Sequence, residues 1–365
     1  MVPLLASSAL GLSLAAQDVA ASPSTGVTYT LRVFDDLIQV PTLVLSRDFE
    51  VRSTLGPKNF TLRIDKGRSF HPQTVRREED DPITLALFLD AHGKPKQGLS
   101  AGLLNYRQAS DPFKENDQIS IFASDCGFVG TAGFVPASLS ILHLLAGNLL
   151  RAPNLHEGTS EDQSCREGQP VLSRINAALA RLAERPGRRV LVVLSDGEDD
   201  DLGSGWTSLR DHANANSISV FALRPSTVKK HWEPRKYSSY AGVLLAPEDP
   251  LSDLCRSSGG LLLSTSKENV GAELSRIILW LRARYIIEFP RPANGVPGTH
   301  ALDITTLNPR DLIRASGVVF PARGSDHPQI VPVFPSPGQS RRKSVDGSAL
   351  TYQRATAPQL SGDGS

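Results

Sequence analysis

Three cysteines in 365 residues are too few for a disulfide-stapled mini-scaffold. None stands in C-x-x-C spacing, which argues against a zinc ribbon. An excess of one charge is also missing, because 39 Lys and Arg face 38 Asp and Glu for a formal net charge of +1. That balance argues against a nucleic-acid binder with one large basic face, and against an acidic disordered chain. After residue 17 no apolar run is long enough to span a bilayer, and Ile83–Leu89 and Val190–Leu194 have only strand length. There is no G-x-S-x-G elbow. Gly130-Thr131-Ala132-Gly133 falls short of a phosphate loop or a dinucleotide fingerprint. No catalytic residue and no cofactor-binding motif emerges.

What is present is ordinary for a globular chain, with 40% hydrophobic and 21% charged residues. The length allows about two domains, and 26 Pro with 29 Gly foretell many loops. Residues 1–17 carry no charged side chain, and Leu4–Ala16 is mostly Leu, Ala, Ser and Gly. This reads as the apolar part of a secretory signal with cleavage near Ala15 and Ala16, so residues 1–26 are taken as signal peptide and linker. The mature chain would then be secreted or periplasmic, with no membrane span. No Lys or Arg precedes Arg32, which a start codon placed too late would explain. A disordered N-terminus of a cytosolic protein is the other reading. Residues 322–365 are rich in Pro, Ser, Gly, Arg and Gln, too poor in large apolar groups to offset their ordering entropy, and are expected to be a disordered tail.

Between these ends the hydrophobic period changes twice. Thr28–Phe34, Ile38–Ser46 and Asn59–Ile64 read as antiparallel strands broken by turn signals, within an N-terminal β segment 27–81. Ile83–Leu89 is apolar except for Thr84, as a strand buried on both faces must be. Strands at Ile119–Phe122, Val190–Leu194, Ile218–Leu223 and Leu261–Ser264 then alternate with helices at Val135–Leu150, Pro170–Ala183, Leu209–Asn216, Leu251–Ser257 and Val270–Leu281. That alternation predicts an α/β fold, a doubly wound and mostly parallel sheet, over 82–284. Tyr285–Phe289, His300–Thr305 and Ile313–Phe320 return to strand pattern, and 285–321 is expected to pack with the N-terminal strands as one flanking β module.

Ligands of open α/β sheets meet the carboxyl ends of the strands. Two such ends are distinctive, Leu89-Asp90-Ala91-His92-Gly93-Lys94 and Leu194-Ser195-Asp196-Gly197 with the acidic run Glu198–Asp201. Carboxylates on neighbouring strands could share a divalent cation. The acidic run could equally be a solvated loop, and Asp90 a turn or capping residue. A long segment, Ser124–Gln169, holds Cys126 and Cys165, which could pair in an exported protein and leave Cys255 as a buried thiol; three independent cysteines is the other reading. A second long loop, Pro225–Pro250, places Trp232, Tyr237 and Tyr240 among Lys229, Lys230, Arg235 and Lys236. Such a mixture suits recognition of a protein partner, or simply covers a sheet edge.

With these residues in place, the chain resembles the von Willebrand factor A domain family over roughly Pro82–Pro290. Ile83–Asp90 matches the first strand with its terminal Asp, and Arg189–Gly197 the later strand ending in Ser-Asp-Gly. The flanks look like those of bacterial exported proteins carrying an A-type domain. The resemblance implies a Rossmann-like fold and a metal-dependent adhesion site built from Asp-x-Ser-x-Ser, a loop Thr and a second Asp. Asp90 and Asp196 match the two acids, but His92 and Lys94 stand at the two Ser positions. Thr131 is the nearby Thr, while Val135-Pro136 occupies the place where the loop Thr would be sought. The expectation is a degenerate site in which Lys94 or His92 pairs with Asp196 or Asp199. The alternatives are a divalent ion held by Asp90 and Asp196 with Thr131 nearby, or a softer ion on His92 and Asp90. The function expected is non-enzymatic protein binding or adhesion at the cell envelope, with Lys94, Asp199, Trp232, Tyr237 and Tyr240 as partner-contact candidates. A metal-dependent adhesion domain and a hydrolase are the competing classes.

Overall fold

In chain order the strands and helices are β1 (Leu37–Leu45), β2 (Phe60–Ile64), β3 (Thr74–Arg77), β4 (Ile83–Asp90), α1 (Leu99–Asn105), β5 (Gln118–Ser124), β6 (Phe128–Gly130), β7 (Val135–Pro136), α2 (Leu139–Leu149), α3 (Pro153–His156), α4 (Val171–Ala183), β8 (Arg188–Leu194), α5 (Gly205–Ala215) and β9 (Ile218–Pro225). There follow β10 (Lys236–Ser239), β11 (Gly242–Leu245), α6 (Pro250–Ser257), β12 (Leu262–Thr265), α7 (Val270–Ala283), β13 (Tyr285–Pro290), β14 (Gly298–His300), β15 (Leu302–Thr306), β16 (Leu312–Ala315), β17 (Val318–Phe320) and β18 (Gln353–Arg354). This computed structural model describes residues 37–79, 81–91, 98–106, 111–156, 171–195, 205–226, 236–239, 242–245, 249–292, 295–320 and 353–354. The strand expected at Thr28–Phe34, the signal segment and nearly all of the C-terminal tail lie outside them.

The central sheet has the order β12-β9-β8-β4-β5-β6-β18, with β7 also on β5. The five strands from β12 to β5 run parallel, whereas β6 returns antiparallel to β5. β4 is central because its side chains are apolar in both directions. Leu85, Leu87 and Leu89 face a core shared with α1, α2 and α7. Ala86 and Phe88 face a second core shared with α4, α5 and α6. Helices on both faces of a parallel sheet make the doubly wound, Rossmann-like arrangement that the resemblance to the A-domain family implies. Chain order reverses between β4 and β8, whose register runs from Ile83 opposite Arg188 to Leu89 opposite Leu194.

The helical pattern expected over Val135–Leu150 divides in the structure. Val135–Pro136 pairs with β5, and the helix begins only at Leu139, where the Ser138 hydroxyl accepts from the Ile141 amide at 3.1 Å. Pro136 disfavours helical geometry at the residue before it, and Ser138 offers the first orphan amides a partner.

A second, antiparallel assembly joins strands from both sides of the α/β region. β1 lies between β13 and β16, β3 adds to the other edge of β13, β2 pairs with β15, and β14 with β17. Val40, Phe60, Leu62, Tyr285, Ile287 and Phe289 make its core. The chain passes between the two assemblies at two places that touch: the Glu78 amide donates to the Arg284 carbonyl at 3.0 Å, and the Glu79 amide to the Arg282 carbonyl at 3.0 Å.

Candidate functional site

β4 and β8 end side by side at the crevice where chain order reverses. Their last apolar pair, Leu89 and Leu194, sets the next residues of both strands at the rim. There the Ser195 hydroxyl donates to Asp90 Oδ2 at 2.6 Å, bridging the crevice. Ser195 is buried, and its amide donates to the Leu223 carbonyl at 3.2 Å, so the hydroxyl is held by the neighbouring strand. A hydrogen bond to a carboxylate contributes about 1.5–3 kcal/mol.

On the other side of Asp90 its register partner is Ser124, the last residue of β5. Side chains alternate along a strand. Because Ala86, Phe88 and Phe122 point toward α4, Asp90 and Ser124 fall on that same face. Arg174 of α4 comes up to meet them. Its Nη1 donates to Ser124 Oγ at 2.5 Å and to the Asp125 carbonyl, and its Nη2 donates to the Cys126 carbonyl at 3.1 Å. The residue is only 7% exposed.

The turn that Arg174 grips is fixed in two further ways. Cys126 is disulfide-bonded. The Gly127 amide donates to the Leu155 carbonyl at 2.9 Å, and a Cβ on Gly127 would stand 2.0 Å from the Asn154 carbonyl oxygen. Cys255 is a free, buried thiol, which burial pushes well above its usual pKa.

Of the residues singled out in the sequence, Asp90 is at this rim. Thr131 is not brought to it. It follows β6, its hydroxyl contacts Ser120 Oγ at 2.7 Å and the Gly133 carbonyl at 3.1 Å, and its amide donates to the Ile121 carbonyl at 2.9 Å. Ile121 lies three residues back from Ser124, about 10 Å along the strand. Tyr237 lies in β10, opposite Leu244 of β11. His92, Lys94, Asp196, Asp199, Trp232 and Tyr240 lie outside the described residues.

Sequence reasoning missed Ser195, Ser124 and Arg174. Ser195 was visible only as the neighbour of Asp196. Arg174 carried a signal, since it falls among Val171, Ile175 and Ala178 on the apolar stripe of its helix, where a charge needs a reason.

Of the residues that the family resemblance implies would hold a hard divalent ion, the structure describes Asp90 and Thr131 and does not bring them together. Such an ion needs several oxygen ligands. Among the described residues no cluster of three or more His, Cys, Asp and Glu is placed to hold a metal. The Thr is elsewhere, and the sequence puts His92 and Lys94 at the hydroxyl positions.

The long excursion after β9 has a clamp at its base. Arg224 at the end of β9 meets Asp249 with both prongs, Nη1 to Oδ2 at 2.5 Å and Nη2 to Oδ1 at 2.9 Å. Asp249 also caps α6, accepting from the Ser252 amide at 3.1 Å. Between them β10 and β11 form a hairpin that pairs with no other described strand. A cavity of about 340 Å³ lies in the β module, lined by Arg52, Asn59, Asn308 and Asp311 among others. Its buried acid is already occupied: Asp311 accepts from Arg52 Nε, Asn308 Nδ2 and Thr306 Oγ1 at 2.9, 2.9 and 3.0 Å.

No protein-family model matches the chain, and no curated protein is similar to it in sequence. Among solved structures it is similar to a von Willebrand factor type A protein from Catenulispora acidiphila, with 10% identity and a TM-score of 0.39, over 76% of this chain and 74% of that one. It is also similar to an aerotolerance-related membrane protein from Bacteroides fragilis, with 12% identity and a TM-score of 0.34, over 55% of this chain and 98% of that one. For BatB from Bacteroides thetaiotaomicron the identity is 14% and the TM-score 0.35, over 55% and 98%.

Proposed function

We propose that this chain is a non-enzymatic protein-binding module of the cell envelope. Its partner face is the rim at the carboxyl ends of β4, β5, β8 and β9. The observation that carries this reading is the bond from Ser195 to Asp90 across the topological switch point, where an α/β enzyme would bind its substrate. A serine nucleophile needs a base able to take its proton near neutral pH. Here the hydroxyl donates to a carboxylate. The crevice is crossed by a hydrogen bond. Arg224 and Asp249 pair at the two ends of the segment that contains the β10–β11 hairpin, and the β5–β6 turn is held by Arg174 and a disulfide.

Location at the envelope is supported by the disulfide at Cys126, since such bonds persist in oxidising compartments. Among the described residues no helix is long and apolar enough to cross a membrane. The test is crosslinking of the purified chain to envelope extracts, repeated with Lys94→Ala, Asp199→Ala, Trp232→Ala, Tyr237→Ala and Tyr240→Ala. One partner captured by the wild type and lost in several rim variants supports the reading. Capture undiminished by all five, or turnover of ester, peptide or phosphate substrates abolished by Ser195→Ala, overturns it.

A further inference from the structure

We propose that the cavity in the β module binds a carboxylate that carries an apolar side group, the chemistry shared by the free C-terminus of a peptide and by a small organic acid. The site is separate from the rim and stands whether or not the partner-face reading does. Its walls are held in place by the protein's own bonds. The buried Tyr285 hydroxyl donates to the Arg52 carbonyl at 2.6 Å and accepts from the Leu55 amide at 3.2 Å, so Ser53 and Thr54 form an arch between two fixed ends. The Arg52–Asp311 ion pair, 2.9 Å from Nε to Oδ1, ties that arch to the loop after β15. Asn59 ties in the third side: its Oδ1 accepts from the Gly56 amide at 2.7 Å, and its carbonyl from the Leu307 amide at 3.2 Å.

What the lining leaves unmet is donor capacity. Asp311 already accepts from Arg52, Asn308 and Thr306, and Asn308 Oδ1 accepts from the Arg310 amide at 3.2 Å. Arg52, in contrast, uses only Nε. Among the described residues, neither of its Nη atoms, nor Asn59 Nδ2, nor the hydroxyls of Ser53 and Thr54 has a hydrogen-bond partner, and none of them is sealed from solvent. A surplus of donors around a guanidinium calls for an anionic group that only accepts, and the two free Nη atoms match the two oxygens of a carboxylate. Asp311, bonded to the same guanidinium, opposes a second negative charge, so a monoanion is favoured over a phosphate dianion. Val51 and Leu55 add apolar wall, and Leu307, 75% exposed, stands at the margin. The volume of about 340 Å³ is at the low end of small-molecule pockets and suits a ligand of amino-acid size.

The test titrates the full chain with N-acetyl-leucine and follows the NMR signals of the Ser53 and Thr54 amides and of the Arg52 side chain. We expect saturable shifts at roughly millimolar ligand, as suits a molecule of about a dozen non-hydrogen atoms. N-acetyl-leucinamide, which lacks the negative charge, is expected to bind about tenfold more weakly, and inorganic phosphate no better than the amide. Arg52→Gln should abolish the shifts of the arch amides. Leu307→Glu brings a like charge to an exposed position at the margin, and should weaken binding several-fold without changing the melting curve. A short peptide ending in a free leucine carboxylate separates the two sources. Affinity about tenfold above that of N-acetyl-leucine marks a protein C-terminus, equal affinity marks a free acid, and both uphold the carboxylate site. Absence of shifts, equal binding of the amide, or tighter binding of phosphate overturns it. If Arg52→Gln does not fold, undiminished binding by Leu307→Glu overturns the proposal in its place.

Discussion

Arg284 grips Glu78 with two nitrogens, Nε at 2.7 Å from Oε2 and Nη2 at 3.1 Å from Oε1, and the side chains are 2% and 4% exposed. The pair sits where the chain crosses between the β module and the α/β sheet. Arg284 also donates to Ser219 Oγ at 2.6 Å, at the start of β9. Arg188, at the start of β8, places Nε 3.4 Å from Glu78 Oε2 and donates to the carbonyls of Glu78 and Leu281 at 3.0 and 3.2 Å. Burial pulls the Arg188 pKa down to about 10, with Glu78 acting in the opposite direction.

Removing the acid from this cluster leaves two guanidinium groups buried without it. Glu78→Ala is therefore expected to destabilise the chain by about 3–5 kcal/mol, the range for breaking a buried ion pair. Adding Arg284→Met should recover part of that loss, because one stranded charge goes with it. Urea unfolding of the three proteins checks this. A loss below about 1 kcal/mol for Glu78→Ala would mean that water reaches the cluster.

His300 and Asp65 form a clasp whose strength should follow pH. His300 Nδ1 bonds to Asp65 Oδ2, and the Ala301 amide donates to Asp65 Oδ1 at 2.9 Å. The bond to Asp65 raises the His300 pKa above its ordinary 6.5, and the same bond, with the Ala301 amide, lowers that of Asp65 below its ordinary 3.8. A raised histidine contributes fully below its unfolded value and loses that contribution as pH rises through the folded one. A lowered carboxylate contributes above its unfolded value and loses the contribution as pH falls through the folded one. The clasp is then strongest between about pH 4 and 6.5. Melting temperatures of wild type and His300→Gln should differ more at pH 5.5 than at pH 8.5, and the reverse order would remove the clasp.

Gly127→Ala should disturb the turn beside the crevice, because its methyl would meet the Asn154 carbonyl, a backbone atom, at 2.0 Å. We expect a loss of about 1–3 kcal/mol. Exchange of the residue 127 amide, which donates to Leu155, should quicken more than that of β4 amides. Unchanged stability and exchange would show that α3 can move away freely.

Non-reducing peptide mapping should find Cys126 linked to Cys165, with Cys255 unmodified by iodoacetamide until the chain unfolds. The first follows from the disulfide at Cys126 and the free state of Cys255, the second from a buried thiol whose pKa is raised. A bond closing a loop of roughly 40 residues stabilises by about 4 kcal/mol on the chain-entropy model, so reduction should lower the urea midpoint. Native labelling of Cys255, or a midpoint unmoved by reduction, would contradict this account.

The alternation of elements was legible in the sequence because a strand buried on both faces must be continuously apolar. Ile83–Leu89 and Val190–Leu194 carry that mark, and Asp90 is visible as the residue that ends it. The three-residue strand β6 was not legible, because it is too short to show a period. Nor were the partners at the crevice. Ser195 meets Asp90 across 105 residues, Arg174 meets Ser124 across 50, and Arg284 meets Glu78 across 206. Local pattern reports which face of an element is apolar. Which polar side chains meet depends on strand register and helix packing across the whole chain, so the tertiary structure alone put a serine against Asp90 and a guanidinium against Ser124, its register partner.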